Sequence, residues 1–296
     1  MMKAIAFCPA HITGFFKPEI NHTKPELIGS TGAGFSIEHG ITTSVVVKYS
    51  TKTIVRINNI GYKSDDNRVS KFIINEFLKL TKKCFFVDIK HNITIPIGYG
   101  LGCSGAVALS LSLALNKAFN YKISRIEASR IAHKAEIICK TGLGDVLATF
   151  YGGFEIRTKC GAPGIGLVKK IQTDNSAIVI IGCLSPINTK KLIKQSKKMS
   201  NLGTVMINRF KNTRSSDEFQ DMSLKFAKCM NIITPRMELI IHELHKYNIK
   251  CGIALFGETI FSIIHQNMEK KVCEIMKKYQ CTIIKSKINK TGARIK

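Results

Sequence analysis

Acidic residues are scarce in this chain: 20 Asp plus Glu stand against 45 Lys plus Arg, leaving a net charge of +25. Such a field attracts nucleic acid, anionic lipid or anionic small molecules. The lysines are scattered through every predicted element, without the interleaved aromatics of a nucleic-acid platform, so most read as solvated surface and no nucleic-acid partner is expected. The ten cysteines contain no C-x-x-C pair, which removes the usual zinc spacing. A secretory signal is also missing, because the apolar start AIAFC is cut by Pro9. Cys84, Cys139, Cys183, Cys251 and Cys273 sit in apolar settings, where cysteine acts as a small hydrophobe. A reducing, cytoplasmic location is therefore expected. No Gly-Lys-Ser or Gly-Lys-Thr occurs, so a Walker loop is excluded. Repeats and low-complexity linkers are lacking too, and the lysine-rich segment after Lys285 reads as an exposed, mobile tail.

What is present is an ordinary globular composition, 45% hydrophobic and 22% charged, in 296 residues, enough for two domains with their own cores. The stretch from Asn92 to Asn116 organises the chain. Ile93, Ile95 and Ile97 alternate as a strand, Gly98, Gly100 and Gly102 permit a sharp turn, and Ser104, Gly105 and Ala106 open a helix reaching about Ala118. Free amides and the positive end of the helix dipole then face the turn, a cradle for an anion such as phosphate.

Two other readings of this stretch fail. Gly100, Gly102 and Gly105 satisfy G-x-G-x-x-G, but a dinucleotide fold needs a second strand ending in an acid roughly 20 residues on, and the residues from Ser124 onward are helical in period. The absence of charge from Asn92 to Asn116 suggests a membrane span. Its glycines, Pro96 and serines leave too few helical residues for the roughly 20 a bilayer requires, so a buried core helix is expected and no membrane partner.

The rest of the chain supplies candidate partners for that turn. Lys3 to Cys8 reads as a strand entering a loop, Pro9 to Phe16, that is a candidate site through His11; the alternative is that Phe15 and Phe16 simply plug a core and His11 is a satisfied loop histidine. A second small-residue loop, Gly29 to Gly34, contains Ser30. Thr42–Val47 and Thr53–Ile57 read as hairpin strands. Asp65 or Asp66 is placed to cap a helix with the stripe Val69, Phe72, Ile73, Phe77 and Leu80. Ser124 and Glu127 form a capping box for a helix whose buried stripe is Ala128, Ile131, Ala132, Ala135 and Ile138, leaving His133 and Glu136 as neighbours on a different face. Gly142 and Gly144 end that helix and present Asp145 in a turn. Glu136 and Asp145 are thus two nearby carboxylates of the kind Mg²⁺ takes together with substrate phosphates. Arg157, on a strand after Gly152 and Gly153, has the planar fork that suits a carboxylate ligand.

From about Val168 shorter elements follow. Ala177 to Leu184 is an aliphatic strand of the kind buried on both faces. Helices are predicted over Thr189–Leu202, Ser215–Met230, Pro235–Lys246 and Met268–Tyr279, with strands over Cys251–Leu255, Ile260–Ile264 and Cys281–Lys285, a split β-α-β layer. The aliphatic strand and the methionine-containing helices are a candidate interface for a homodimer.

With these pieces in place the chain resembles the GHMP small-molecule kinase superfamily and, within it, the archaeal-type pantoate kinases. Pro96 with Gly100-Leu101-Gly102-Cys103-Ser104 is similar to the superfamily's phosphate loop. Pro9 to Phe16, Gly142-Leu143-Gly144-Asp145, Gly161-Ala162-Pro163-Gly164 and Leu255-Phe256-Gly257-Glu258-Thr259 are similar to further family segments. Departures are Ala10 for a usual glycine, Cys103 for a serine, and His11 where the superfamily often carries a basic residue.

The resemblance implies an α+β, two-domain GHMP kinase-like fold. Residues 1–170 would form a ribosomal protein S5 domain 2-like unit, and residues 171–296 a ferredoxin-like split βαβ unit. It implies ATP and Mg²⁺ as cofactors, with Pro96, Gly98, Gly100, Leu101, Gly102, Cys103, Ser104, Gly105 and Ala106 around the ATP phosphates. Ser104 and Glu136 would hold Mg²⁺, Asp145 would act beside the substrate hydroxyl, and His133, Arg157, His11 and Ser30 would meet the substrate. The implied reaction is phosphorylation of the primary hydroxyl of (R)-pantoate to 4-phosphopantoate in coenzyme A biosynthesis. The alternative is another small alcohol: mevalonate, homoserine or shikimate. A nicotinamide-dependent oxidoreductase and a basic RNA-binding protein are the readings from other classes.

Overall fold

The computed structural model describes residues 1–62, 66–81, 83–121, 123–174, 176–186 and 196–296. In chain order the first elements are β1 (Met2–Glu19), β2 (Gly29–Tyr49), β3 (Ile54–Gly61), α1 (Arg68–Leu78), β4 (Phe85–Ile93), α2 (Cys103–Phe119), α3 (Arg125–Cys139), α4 (Asp145–Tyr151), β5 (Phe154–Lys159) and β6 (Leu167–Ile171). They are followed by β7 (Ala177–Pro186), α5 (Ser196–Thr213), α6 (Ser216–Cys229), α7 (Pro235–Lys246), β8 (Gly252–Ala254), β9 (Gly257–His265), α8 (Glu269–Lys278), β10 (Thr282–Ser286) and β11 (Arg294–Ile295). The class is α+β, with a seven-stranded sheet in the order β11-β1-β2-β4-β3, extended by β5 and β6, and a four-stranded sheet in the order β10-β7-β9-β8.

Both small-residue segments expected as loops are strand. β1 and β2 form one antiparallel ribbon from Met2 opposite Val47 to Glu19 opposite Gly29. Its irregular residues are absorbed as register shifts at Pro9/Ala10 and Thr13/Phe15. Small residues in β2 allow the close approach: a Cβ on Gly32 would lie 2.4 Å from the Phe15 carbonyl oxygen. The expected hairpin of Thr42–Val47 with Thr53–Ile57 is also corrected. β4 lies between β2 and β3 and runs parallel to β3, with α1 in the connection.

Helix ends follow local chemistry. Asn67 is the N-cap residue of α1, while Asp66 accepts the Arg68 amide at 3.1 Å; Asp65 lies outside the described residues. Residues 189–195 of the predicted Thr189–Leu202 helix do so too, and α5 is described from Ser196. Ser124 and Glu127 make the capping box of α3. The buried face of α3 differs from the expected one: His133 and Glu136 are buried and Ile138 is exposed.

The seam between the two sheets is aromatic. The Phe219 ring of α6 lies 5.0 Å from Phe154, 5.8 Å from Phe15 and Phe261, and 6.0 Å from Phe35. Rings from β1, β2, β5 and β9 thus meet on one helix, and such pairs contribute about 0.5–1.5 kcal/mol each beyond area burial. In β7, Val179, Ile181 and Cys183 face this core, while Ile178 and Ile180 face a second one with Met237, Ile240 and Leu244 of α7. This strand is covered on both faces within the chain.

The C-terminal segment is no loose tail. β11 pairs with β1, the Gly153 amide donates to the Asn289 carbonyl at 2.7 Å, and the Ala293 amide donates to the Thr149 carbonyl at 2.8 Å. Ile288, Asn289 and Ala293 are buried, and Lys287, Lys290 and Lys296 around them are exposed. Among the described residues no helix is long and apolar enough to cross a membrane.

Candidate active site

The strand β4 ends at Ile93, and the chain then turns through Gly98, Gly100 and Gly102, all at positive φ. Gly102, at φ 64°, is the N-cap residue of α2, a backbone shape that a side chain would strain. A Cβ on Gly100 would lie 2.1 Å from the Leu255 carbonyl oxygen, and one on Gly257 would lie 2.1 Å from the Tyr99 carbonyl carbon. The turn is therefore clamped against the Leu255–Gly257 bend that leads into β9. On its other side the His11 amide of β1 donates to the Leu101 carbonyl at 3.1 Å. Pro96, Leu101, Gly105 and Ala106 are buried, Gly98 is exposed at the rim beside Pro186, and Cys103 and Ser104 are half-buried in the first turn of α2. The α2 amides at this end have no helical partner, which suits an anion.

The two candidate acids converge on this helix start. A Cβ on Gly105 would lie 2.8 Å from Cβ of Asp145 and 3.4 Å from Glu136 Oε2. A Cβ on Gly142 would lie 2.1 Å from Glu136 Oε2 and 3.5 Å from Asp145 Oδ2. These glycines keep the space around both carboxylates free. Glu136 accepts from Thr141 Oγ1 at 2.5 Å and from Ser104 Oγ at 3.2 Å. Burial raises its carboxyl to about 7, with the Asp145 charge adding to the rise and the two hydroxyl bonds opposing it. The expected glycine cap of α3 is instead Lys140, in the left-handed conformation at φ 55°. Asp145 is the first residue of α4, a short helix rather than the expected turn, with its side chain a quarter exposed.

His11 ties Asp145 to a buried ion pair. His11 Nδ1 lies 2.9 Å from Asp145 Oδ1, and His11 Nε2 lies 3.1 Å from Glu155 Oε1. Arg157 Nη1 donates to the same Glu155 oxygen at 2.5 Å. Burial lowers the proton affinity of the imidazole and the Arg157 charge does so further, but the bonds to Asp145 and Glu155 outweigh both and leave it raised. Both ring nitrogens face carboxylates, the arrangement of a doubly protonated ring. Among the described residues Arg157 Nε and Glu155 Oε2 are buried with no hydrogen-bond partner. A Cβ on Gly144 would lie 2.4 Å from Ser30 Oγ and 3.2 Å from Arg157 Nε, so Ser30 and the open edge of the guanidinium share one small space.

His133 stands apart from this group. Its Nε2 lies 2.9 Å from the Ile28 carbonyl oxygen, two residues before Ser30, and burial lowers its proton affinity. Sequence reasoning missed Glu155 and the Thr141 hydroxyl. The signal for Glu155 is its spacing: residues two apart on a strand share a face, and Arg157 was already a candidate. Among the described residues no three His, Cys, Asp or Glu side chains gather as a metal site.

Comparison with known proteins finds relatives of the chain in sequence and in fold. Residues 67–153 match the family described as GHMP kinases N terminal domain. A pantoate kinase of Methanocaldococcus jannaschii is 31% identical over 277 residues, covering 92% of this chain and 96% of that protein. A pantoate kinase of Methanospirillum hungatei is 28% identical, covering 89% and 88% respectively. A solved structure described as a phosphotransferase related to the CoA biosynthesis pathway has the same fold, with a TM-score of 0.90 at 23% identity over 100% of this chain and 99% of that one. Likeness sustained along nearly the whole of both sequences is the mark of common descent, and the chain belongs to the pantoate kinase family of the GHMP kinases.

Proposed function

We propose that this protein transfers the terminal phosphoryl group of ATP to the primary hydroxyl of (R)-pantoate, giving 4-phosphopantoate for coenzyme A synthesis. The observation that carries this reading is the placement of Asp145, held by His11 at 2.9 Å, against the glycine-bordered start of α2. The correspondence with pantoate kinases along about nine-tenths of the chain favours pantoate over mevalonate, homoserine or shikimate. Residues 1–170 supply the turn, the acids and Arg157, and residues 171–296 supply the Leu255–Gly257 bend that braces the turn.

Phosphoryl transfer asks a protein mainly for positioning and charge neutralisation. Backbone amides from Gly100 to Ala106 hold the ATP phosphates, between Pro96 and Gly98 at one end and α2 at the other. Ser104 and Glu136 would hold Mg²⁺, which would supply positive charge against the phosphates. Arg157 meets the pantoate carboxylate through its unpartnered Nε edge, with Ser30 beside it and His133 fixing the backbone that carries Ser30. Asp145 orients the pantoate hydroxyl and takes its proton as that oxygen bonds to phosphorus and the bond from phosphorus to the departing ADP oxygen breaks. His11 holds Asp145 in place. Free thiols at all ten cysteines support a reducing, cytoplasmic setting.

An ADP-release assay with ATP and a panel of pantoate, mevalonate, homoserine and shikimate tests the reading. Turnover with pantoate well above the other alcohols is expected. Equal or greater turnover with another alcohol, or none with pantoate, would remove the assignment.

A further inference from the structure

We propose that Glu155 is a positioning residue, whose single oxygen Oε1 accepts from both His11 and Arg157 and so fixes the Asp145–His11 pair and the arginine in one register. The inference rests on the pantoate reading above. Glu155 is fully buried on β5, with Oε1 at 3.1 Å from His11 Nε2 and 2.5 Å from Arg157 Nη1. The opposite strand leaves room for the link. Gly34 pairs with Glu155, and a Cβ at Gly34 would lie 2.6 Å from His11 Nε2.

Charge explains why an acid is needed here. Arg157 Nη1 and His11 Nε2 are 3.4 Å apart, and the carboxylate between them offsets two like charges in a region that water does not reach. Without that negative charge the imidazole sheds a proton beside the arginine. The one remaining hydrogen stays on Nδ1 beside the Asp145 carboxylate and Nε2 accepts from Arg157 Nη1, so Asp145 is left with a neutral, weaker donor in place of a charged one. The acid nearest the reacting hydroxyl is then held less firmly, although Glu155 itself touches no substrate.

The test compares kcat and both KM values for wild type, Glu155→Gln, Glu155→Asp, His11→Gln and the Glu155→Gln/His11→Gln double variant. Glu155→Gln is expected to lower kcat about tenfold or more with KM for ATP within about twofold, and Glu155→Asp to recover part of the loss. The double variant is expected to fall no further than its worse parent, because both changes break one link. A Glu155→Gln kcat within about twofold of wild type overturns the proposal, as does a double variant whose loss equals the product of the single losses. Where Glu155→Gln does not fold, ¹H–¹⁵N spectra of wild-type imidazoles at pH 7 decide. Two ring N–H signals that vanish in His11→Gln support the link, and a single ring N–H at His11 overturns it. Those spectra hold whatever the alcohol, so a wild type inactive on pantoate sinks the substrate reading alone.

Discussion

Replacing Glu136 by glutamine should stabilise the nucleotide-free protein while destroying its activity. Burial raises this carboxyl from the ordinary 4.5 to about 7. At about 1.4 kcal/mol for each tenfold in proton affinity, that displacement is worth about 3 kcal/mol. Below pH 4.5 the group is protonated in the folded and unfolded chain alike. Between pH 4.5 and 7 the unfolded chain releases the proton and the folded one keeps it, so stability is lost across this window and the loss is complete above it. Glutamine has no such titration. Its amide keeps both partners, because its oxygen accepts from Thr141 Oγ1 and its nitrogen donates to Ser104 Oγ, whose own hydrogen can turn to the Thr141 carbonyl 3.5 Å away. Urea unfolding of both proteins at pH 4.5 and pH 8, without nucleotide or Mg²⁺, reads the difference. Glu136→Gln should match wild type to within about 0.5 kcal/mol at the lower pH and exceed it by about 3 kcal/mol at the higher. Equal stability at pH 8, or a gap that does not change with pH, would refute the reasoning.

Two further outcomes follow from the packing. Gly142 has ordinary backbone angles, but a Cβ there would lie 2.1 Å from Glu136 Oε2. Gly142→Ala should therefore lower kcat about tenfold or more by displacing that carboxylate, with the folded structure retained by circular dichroism. Removing residues 287–296 deletes the acceptor for the Gly153 amide and the donor to the Thr149 carbonyl. At about 1–3 kcal/mol for each buried group left unpaired, the truncation should cost about 3 kcal/mol or more in a urea titration, whereas a loose tail would cost nothing.

The glycine turn and α2 were legible because their composition leaves little choice: closely spaced glycines, a proline and a run of good helix formers admit one local structure. The same cue misled at Pro9–Phe16 and Gly29–Gly34. Small residues there serve close strand pairing, and only the long partner strand reveals it. Helix α3 was placed correctly but rotated wrongly, since Glu136 and His133 are turned inward and Ile138 outward. A hydrophobic pattern cannot anticipate that, because burying an acid costs stability and is explained only by the site it serves. Asp145 was found as a candidate, but the seven residues of α4 gave too short a period to be seen as a helix. Glu155 was hidden because its partners His11 and Arg157 come from 144 residues before it and two after it.

The most direct test of the account is the turnover of Asp145→Asn with ATP and pantoate, measured beside its affinity for ATP. Asparagine keeps the shape next to His11 but cannot take the hydroxyl proton, so kcat should fall by about a hundredfold or more while ATP binding stays within about threefold of wild type. Near-normal turnover would contradict the account, because no other described acid lies so close to both the α2 start and His11.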